Sequence, residues 1–180
     1  MMIFLIILAS LLWIGAFAAF PRRIILGPPL SCCALILLSL ARRNGYPLVP
    51  LSSGMTLSWI SITLVVMIII ILQNPAIRMQ SRGTGYMLIG ALAGMAVGLL
   101  GYTFSPSSNL LYAIMLIATA AGICLGLLIF SNTPDGRAIA PGSGHFLRYL
   151  LAKGFPALVT VGQLGIAAVI LIAANGIATI

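Results

Sequence analysis

Long apolar runs separated by short polar breaks make up nearly the whole of this chain. Six runs stand out, at roughly 2–20, 24–41, 55–73, 86–104, 109–130 and 157–178. A helix needs about 20 apolar residues to cross the hydrocarbon core of a bilayer, so each run reads as a transmembrane helix. The runs are continuous and lack the alternation that marks the strands of a membrane β-barrel. The expected fold is therefore all-α: an integral membrane protein forming one transmembrane domain over 1–180, a bundle of about six helices with short loops. The first run carries Ala16-Phe17-Ala18, which resembles a signal-peptide cleavage site. No basic residue precedes that run and Arg22-Arg23 follow it, the reverse of the secretory order, so it is read as a retained helix.

Composition agrees with the pattern. The chain of 180 residues is 62% apolar and 6% charged, against about 25% charged in soluble domains. A soluble fold of this size keeps too much of its chain near water to hide such a sequence. Nine basic residues face a single acid, yet the arginines sit between the apolar runs and form no extended basic face, so nucleic acid is not an expected partner. Charges in that position orient membrane helices. Arg22, Arg23, Arg78, Arg82, Arg137, Arg148 and Lys153 fall in the first, third and fifth breaks. Arg42 and Arg43 fall in the second, and the fourth has none. The bias places the odd breaks in the cytoplasm and both termini outside it, with the cell inner membrane as the expected location.

The longest polar stretch, 131–154, holds the one acid, Asp135, and the one histidine, His145. Thr133-Pro-Asp-Gly136 has the residues of a β-turn, with Asp135 expected to serve that turn. After the breaker Pro141-Gly-Ser-Gly144 comes 145-HFLRYLLAK-153. Helical spacing puts His145, Arg148, Tyr149 and Lys153 on one side and Phe146, Leu147, Leu150 and Leu151 on the other. This predicts a short interfacial helix, separated from the last span by Gly154 and Pro156. Arg137, His145, Arg148 and Lys153 are the candidate contacts for anionic headgroups, which makes membrane lipids a partner.

Small residues supply a second pattern. Gly90, Gly94 and Gly98 repeat every four residues, and Ala118, Gly122 and Gly126 answer them in the next run. Hydrophobic drive between helices is weak in lipid, so such a glycine zipper predicts close helix packing, within this chain or against another subunit. Gln163, Thr56, Ser58, Ser61 and Thr63 are the polar groups at depth and are expected to hydrogen-bond between helices. Gly27-Pro28-Pro29 opens the second helix, where proline is tolerated.

Chemistry is sparse. Cys32, Cys33 and Cys124 all lie inside apolar runs and read as packing residues. One Asp and one His ten residues apart make neither a metal centre nor an acid–base pair. No catalytic, metal or cofactor-binding residue is expected, and the chain reads as no enzyme. The reading is a non-enzymatic, polytopic structural or assembly subunit of a larger inner-membrane complex, with other membrane-protein subunits as partners. The alternative is a small transporter or channel for an uncharged or anionic solute, built as a 3+3 inverted repeat. Its motive is that Cys33 to Gly45 and Cys124 to Gly136 each span twelve residues and close on Asn-Gly or Asp-Gly.

Overall fold

The computed structural model describes residues 2–43, 45–73, 82–101, 108–139, 141 and 143–177. Among them are six long helices: α1 (Met2–Ala19), α2 (Gly27–Leu40), α3 (Ser53–Leu72), α4 (Thr84–Leu100), α5 (Ser108–Ser131) and, after the short α6 (Gly144–Tyr149), α7 (Phe155–Ile177). The expected all-α bundle is what forms. Arg78 and residues 102–104, expected within the fourth run, lie outside the described residues.

Four helical stretches are long and apolar enough to cross a membrane: Met2–Ala19, Ser53–Leu72, Leu110–Ser131 and Gly144–Ala173. The second and fourth expected runs are shorter, Ile24–Leu40 and Thr84–Leu100. At 1.5 Å per residue the second covers about 25 Å, less than a hydrocarbon core of roughly 30 Å. Local chemistry explains its limits. A 3₁₀ turn at Ile24–Leu26 leads into α2, with Pro28 and Pro29 in its first turn. At its other end the chain folds into a hairpin, Arg42–Arg43 against Tyr46–Pro47. Gly45 occupies the left-handed region there, at φ +87°. Asn-Gly flanked by pairing residues is the strongest short hairpin signal, and the expected break at 42–43 concealed it. α4 begins where Gly83, at φ +78°, turns the chain.

The helices are arranged round α7. α1 buries one stripe, Ala9, Trp13, Ala16 and then Phe20, and α3 another, Thr63, Val66 and Ile70. Both follow helical spacing, as expected for a helix with one inward face. α7 instead buries residues round its whole girth, including Ala157, Thr160, Val161, Gln163, Ile166, Val169 and Ile170. One apolar cluster joins it to Phe20, Val66, Ile70, Met87, Leu127 and Phe130. The other joins it to Trp13, Leu35, Leu38, Leu111 and Met115 at the opposite end.

The tightest contact is between α4 and α5, which cross antiparallel along their small residues. A methyl group on Gly90 would land on the carbonyl oxygen of Gly122, one on Gly94 on that of Ala118, and one on Gly126 on that of Tyr86. At Gly98 it would come 2.6 Å from the Met115 Cα. All of these obstacles are backbone, so no side chain can swing aside. Overpacking a core costs typically 1–3 kcal/mol and occasionally more. Gly94→Leu should therefore lower Tm in detergent by several degrees or abolish the folded protein. Gly85→Ala, where nothing stands within 4 Å, should be neutral or slightly stabilising. Thermal unfolding followed by size-exclusion distinguishes the two, and a wild-type Tm for Gly94→Leu would mean that the helices separate at no cost.

Candidate functional site

Two polar clusters lie inside this otherwise apolar bundle. The first ties α7 to α1, α2 and α3 at mid-length. Trp13 Nε1 donates to Ser31 Oγ at 2.9 Å, and Ser31 Oγ donates to the Thr160 carbonyl at 2.7 Å. α2 can come that close because Gly27 faces the Thr160 hydroxyl and the Phe20 ring. On the next face of α7, Gln163 Nε2 donates to Thr63 Oγ1 at 2.9 Å, and that hydroxyl donates to the Trp59 carbonyl at 2.7 Å. Gln163 is 0% exposed, and its Oε1 has no hydrogen-bond partner. Of the polar residues expected to bridge helices from α3, Thr63 does so. Thr56 and Ser58 bond back to carbonyls of the preceding turn, a common alternative for hydroxyl side chains, and Ser61 is exposed.

The second cluster sits where the first, third and fifth breaks meet. Thr84 Oγ1 donates to the Pro21 carbonyl at 3.4 Å. Gln73 Nε2 donates to the Ala152 carbonyl at 3.3 Å, and Tyr149 Oη donates to the Arg82 carbonyl. The freeing of the Ala152 carbonyl traces to Pro156. Proline has no N–H for the residue four earlier, which is Ala152. The helix answers by widening into a π turn at Leu150–Gly154, where Phe155 N–H bonds to the Leu150 carbonyl. The carbonyl left over at Ala152 is the one that Gln73 reaches.

The π turn overturns the expected sidedness of 145–153. No break separates that segment from the last span; α6, the π turn and α7 run on as one helix. Tyr149 and Lys153 point into the protein, at 5% and 1% exposure, while Leu147 and Leu151 stand out at 63% and 58%. Lys153 therefore does not share an outward basic face with Arg148 and His145, which are exposed, as is Arg137. Lys153 Nζ donates to Tyr149 Oη at 3.0 Å and stands 4.4 Å over the Tyr149 ring. The Phe130 ring stacks on Tyr149 with centroids 6.5 Å apart. Phe130 in turn covers Gly83, where a Cβ would strike its ring at 2.6 Å. Gly83 is thus required twice, for its φ and for its lack of a side chain, and it delivers the Arg82 carbonyl to Tyr149.

Asp135 does not serve its turn. Thr133 does, with Oγ1 donating to the Phe130 carbonyl and accepting from Gly136 N–H. The Asp135 carboxylate lies 3.7 Å from the Arg82 guanidinium, both largely exposed. Among the described residues no three His, Cys, Asp or Glu side chains converge. Cys32 is buried, Cys124 half-buried and Cys33 exposed, all as free thiols. Two surface cavities are apolar. One, about 610 Å³, runs along the outside of α4 and α5 over Ala93, Ala121 and Gly122. The other, about 170 Å³, lies between α5 and the π turn, over Cys124, Leu151 and Phe155.

Sequence reasoning passed over the Tyr149–Lys153 pair and the Trp13–Ser31 bond. The available signals were Pro156, four residues after Ala152, and an indole N–H that must find an acceptor once buried. No protein-family model, no curated protein and no solved structure matches this chain.

The clusters predict unequal responses to substitution. Ser31→Ala strands the Trp13 N–H in the core and should cost roughly 1–3 kcal/mol. Gln163→Met removes an unmet acceptor and leaves Thr63 bonded to Trp59, so it should stay within about 1.5 kcal/mol of wild type. Denaturation in a fixed detergent checks both; equal losses would mean that Gln163 has a partner. Asp135→Asn breaks an exposed pair and should change stability by less than about 1 kcal/mol in the same assay.

Proposed function

We propose that this chain is a polytopic membrane protein acting as a non-enzymatic structural or assembly subunit of a larger complex in the cell inner membrane. The observation that carries the membrane part is the distribution of its surface. Ile3, Phe4, Ile7, Leu11 and Ile14 stand exposed on α1, Leu57, Leu64, Val65, Ile68 and Leu72 on α3, and Val97, Ile117, Leu125 and Ile129 on α4 and α5. Water would drive such a surface to aggregate; a bilayer is its natural solvent. The charged side chains cluster near the helix ends. Arg82, Asp135, Arg148 and Lys153 gather at the junction of the first, third and fifth breaks, and Arg42 and Arg43 on the hairpin that follows α2.

That junction also supports the proposed orientation. The first, third and fifth breaks, which together hold seven of the nine basic residues, are hydrogen-bonded to one another through Pro21, Arg82 and Ala152, so they share a side. The positive-inside rule makes it the cytoplasmic side and leaves both termini outside. The subunit reading rests on how the polar groups are used. Nearly every described polar side chain inside the bundle bonds one helix to another or to itself, which leaves helix packing as the chemistry on offer. The transporter reading is favoured by one observation, the unmet Gln163 Oε1. The unequal settings of α3 and α7, one striped and one enclosed, weigh against two equivalent halves.

Three measurements test this. The protein should remain in the membrane pellet after alkaline carbonate extraction; release would sink the membrane reading. A reporter active only outside the cytoplasm, fused after Ile180, should be active, and a silent fusion beside a working cytoplasmic reporter would reverse the orientation. Mild-detergent purification should yield stoichiometric partner proteins, whereas a lone particle that carries solute in proteoliposomes would replace the subunit reading with the transporter.

A further inference from the structure

Two arginines stand at the end of the bundle where the sidedness of basic residues disfavours them. The turn at Ile24–Leu26 opens α2 beside the junction of the first, third and fifth breaks, so α2 carries the chain to the opposite end. Arg42 and Arg43 are exposed on the hairpin there. Arginine in that position works against the orientation bias, which the seven other basic residues follow. The hairpin is firmly placed. Ala41 and Val49, at its two feet, are fully buried, and Leu48 N–H donates to the Ala41 carbonyl at 2.7 Å. Neither arginine has an acidic side chain to pair with, because the one in the chain, Asp135, stands beside Arg82 at the other end.

We propose that this hairpin anchors its end of the bundle to anionic lipid headgroups, with Arg42 and Arg43 each taking a separate phosphate. Three observations favour a lipid surface. Successive residues of a strand point to opposite faces, so the two guanidiniums leave the hairpin on different sides. One small anion cannot bridge them, whereas a membrane surface presents many phosphates. Arg43 stands directly opposite Tyr46, which places both side chains on one face, and Tyr46 is exposed. A phenol beside a cation suits the headgroup layer. Lastly, the span Ile24–Leu40, at about 25 Å, falls short of a hydrocarbon core of roughly 30 Å, and Leu40 at its end is exposed. A short span brings its flanking residues into the interface, where long basic side chains reach outward to the phosphates. An anchor of this kind rests on the membrane reading above.

The test uses the full-length chain in nanodiscs of phosphatidylcholine, with or without phosphatidylglycerol, and reads hydrogen exchange of the 41–48 backbone. Phosphatidylglycerol should slow exchange by roughly fivefold if one arginine contact must open and by roughly thirtyfold if both must, the rate equivalents of the usual attraction of a basic residue to an anionic surface. The slowing should vanish in Arg42→Gln/Arg43→Gln, return in Arg42→Lys/Arg43→Lys and shrink at high salt. It should survive in Arg137→Gln/Arg148→Gln, at the other end of the bundle. Equal exchange of the wild-type hairpin in the two lipids overturns the anchor, as does a slowing that the Gln pair at 42 and 43 retains. If the lipids make no difference and an acidic protein copurifies with wild type but not with that Gln pair, the hairpin docks a protein and the lipid anchor is overturned. A chain that resists carbonate extraction yet exchanges equally in both lipids loses this anchor and keeps its membrane assignment; a chain released by carbonate loses both.

Discussion

Because α7 is enclosed on nearly every side, each neighbouring helix must offer it either apolar surface or a hydrogen bond. α2 approaches through Gly27, which has no side chain to collide with Phe20 and Thr160, and Ser31, whose hydroxyl lies 2.7 Å from the Thr160 carbonyl. α3 approaches through Thr63, which accepts from Gln163. α5 offers Met115 and Ile123, and α4 reaches α7 as the partner of α5. The α4–α5 crossing depends on glycine, because backbone meets backbone along its length. Two closely paired helices present one firm wall, and α7 packs against that wall.

The same helix decides what happens at the basic end of the protein. A single missing N–H at Pro156 widens the turn before it, and π turns of this kind often occur at functional sites. Here the widening frees the Ala152 carbonyl for Gln73, while Tyr149, before the π turn, and Lys153, within it, face inward. Tyr149 then holds the carbonyl of Arg82, beside the αL residue Gly83. Three segments distant in sequence are drawn together, and a lysine is left buried beneath a bundle with one carboxylate to its name.

The proposed role follows from where polar chemistry is spent. Inside the bundle the indole, an amide and the Ser31 hydroxyl join helices and other hydroxyls bond back to their own helix, while the outer surfaces of α1, α3, α4 and α5 carry branched and aliphatic side chains. Such an arrangement suits a protein whose work is to hold its place among lipids and other subunits. Gln163 Oε1 is the exception, a buried acceptor in an otherwise satisfied seam. Buried polar atoms without partners are rare in folded proteins, which keeps the mid-bundle seam of interest for the transporter alternative.

Helix existence was legible from sequence because it depends on one variable, the length of unbroken apolar composition, and all six expected runs became helices. The four-residue glycine spacing was legible for the same reason, since periodicity maps directly onto a helix face. Which face of 145–153 turns inward was not. Sidedness assumes 3.6 residues per turn throughout, and the π turn before Pro156 breaks that assumption where Lys153 sits. Nor could sequence say that Thr133 would hold the turn while Asp135 reached Arg82, because both side chains can bond locally and only the position of Arg82 decides between them. The end of α2 was likewise set from outside its own composition, by the hairpin at Gly45, and the start of α4 by the space beneath Phe130 at Gly83. Local pattern chose the helices; contacts between residues up to 129 positions apart chose which of their polar groups would be buried together.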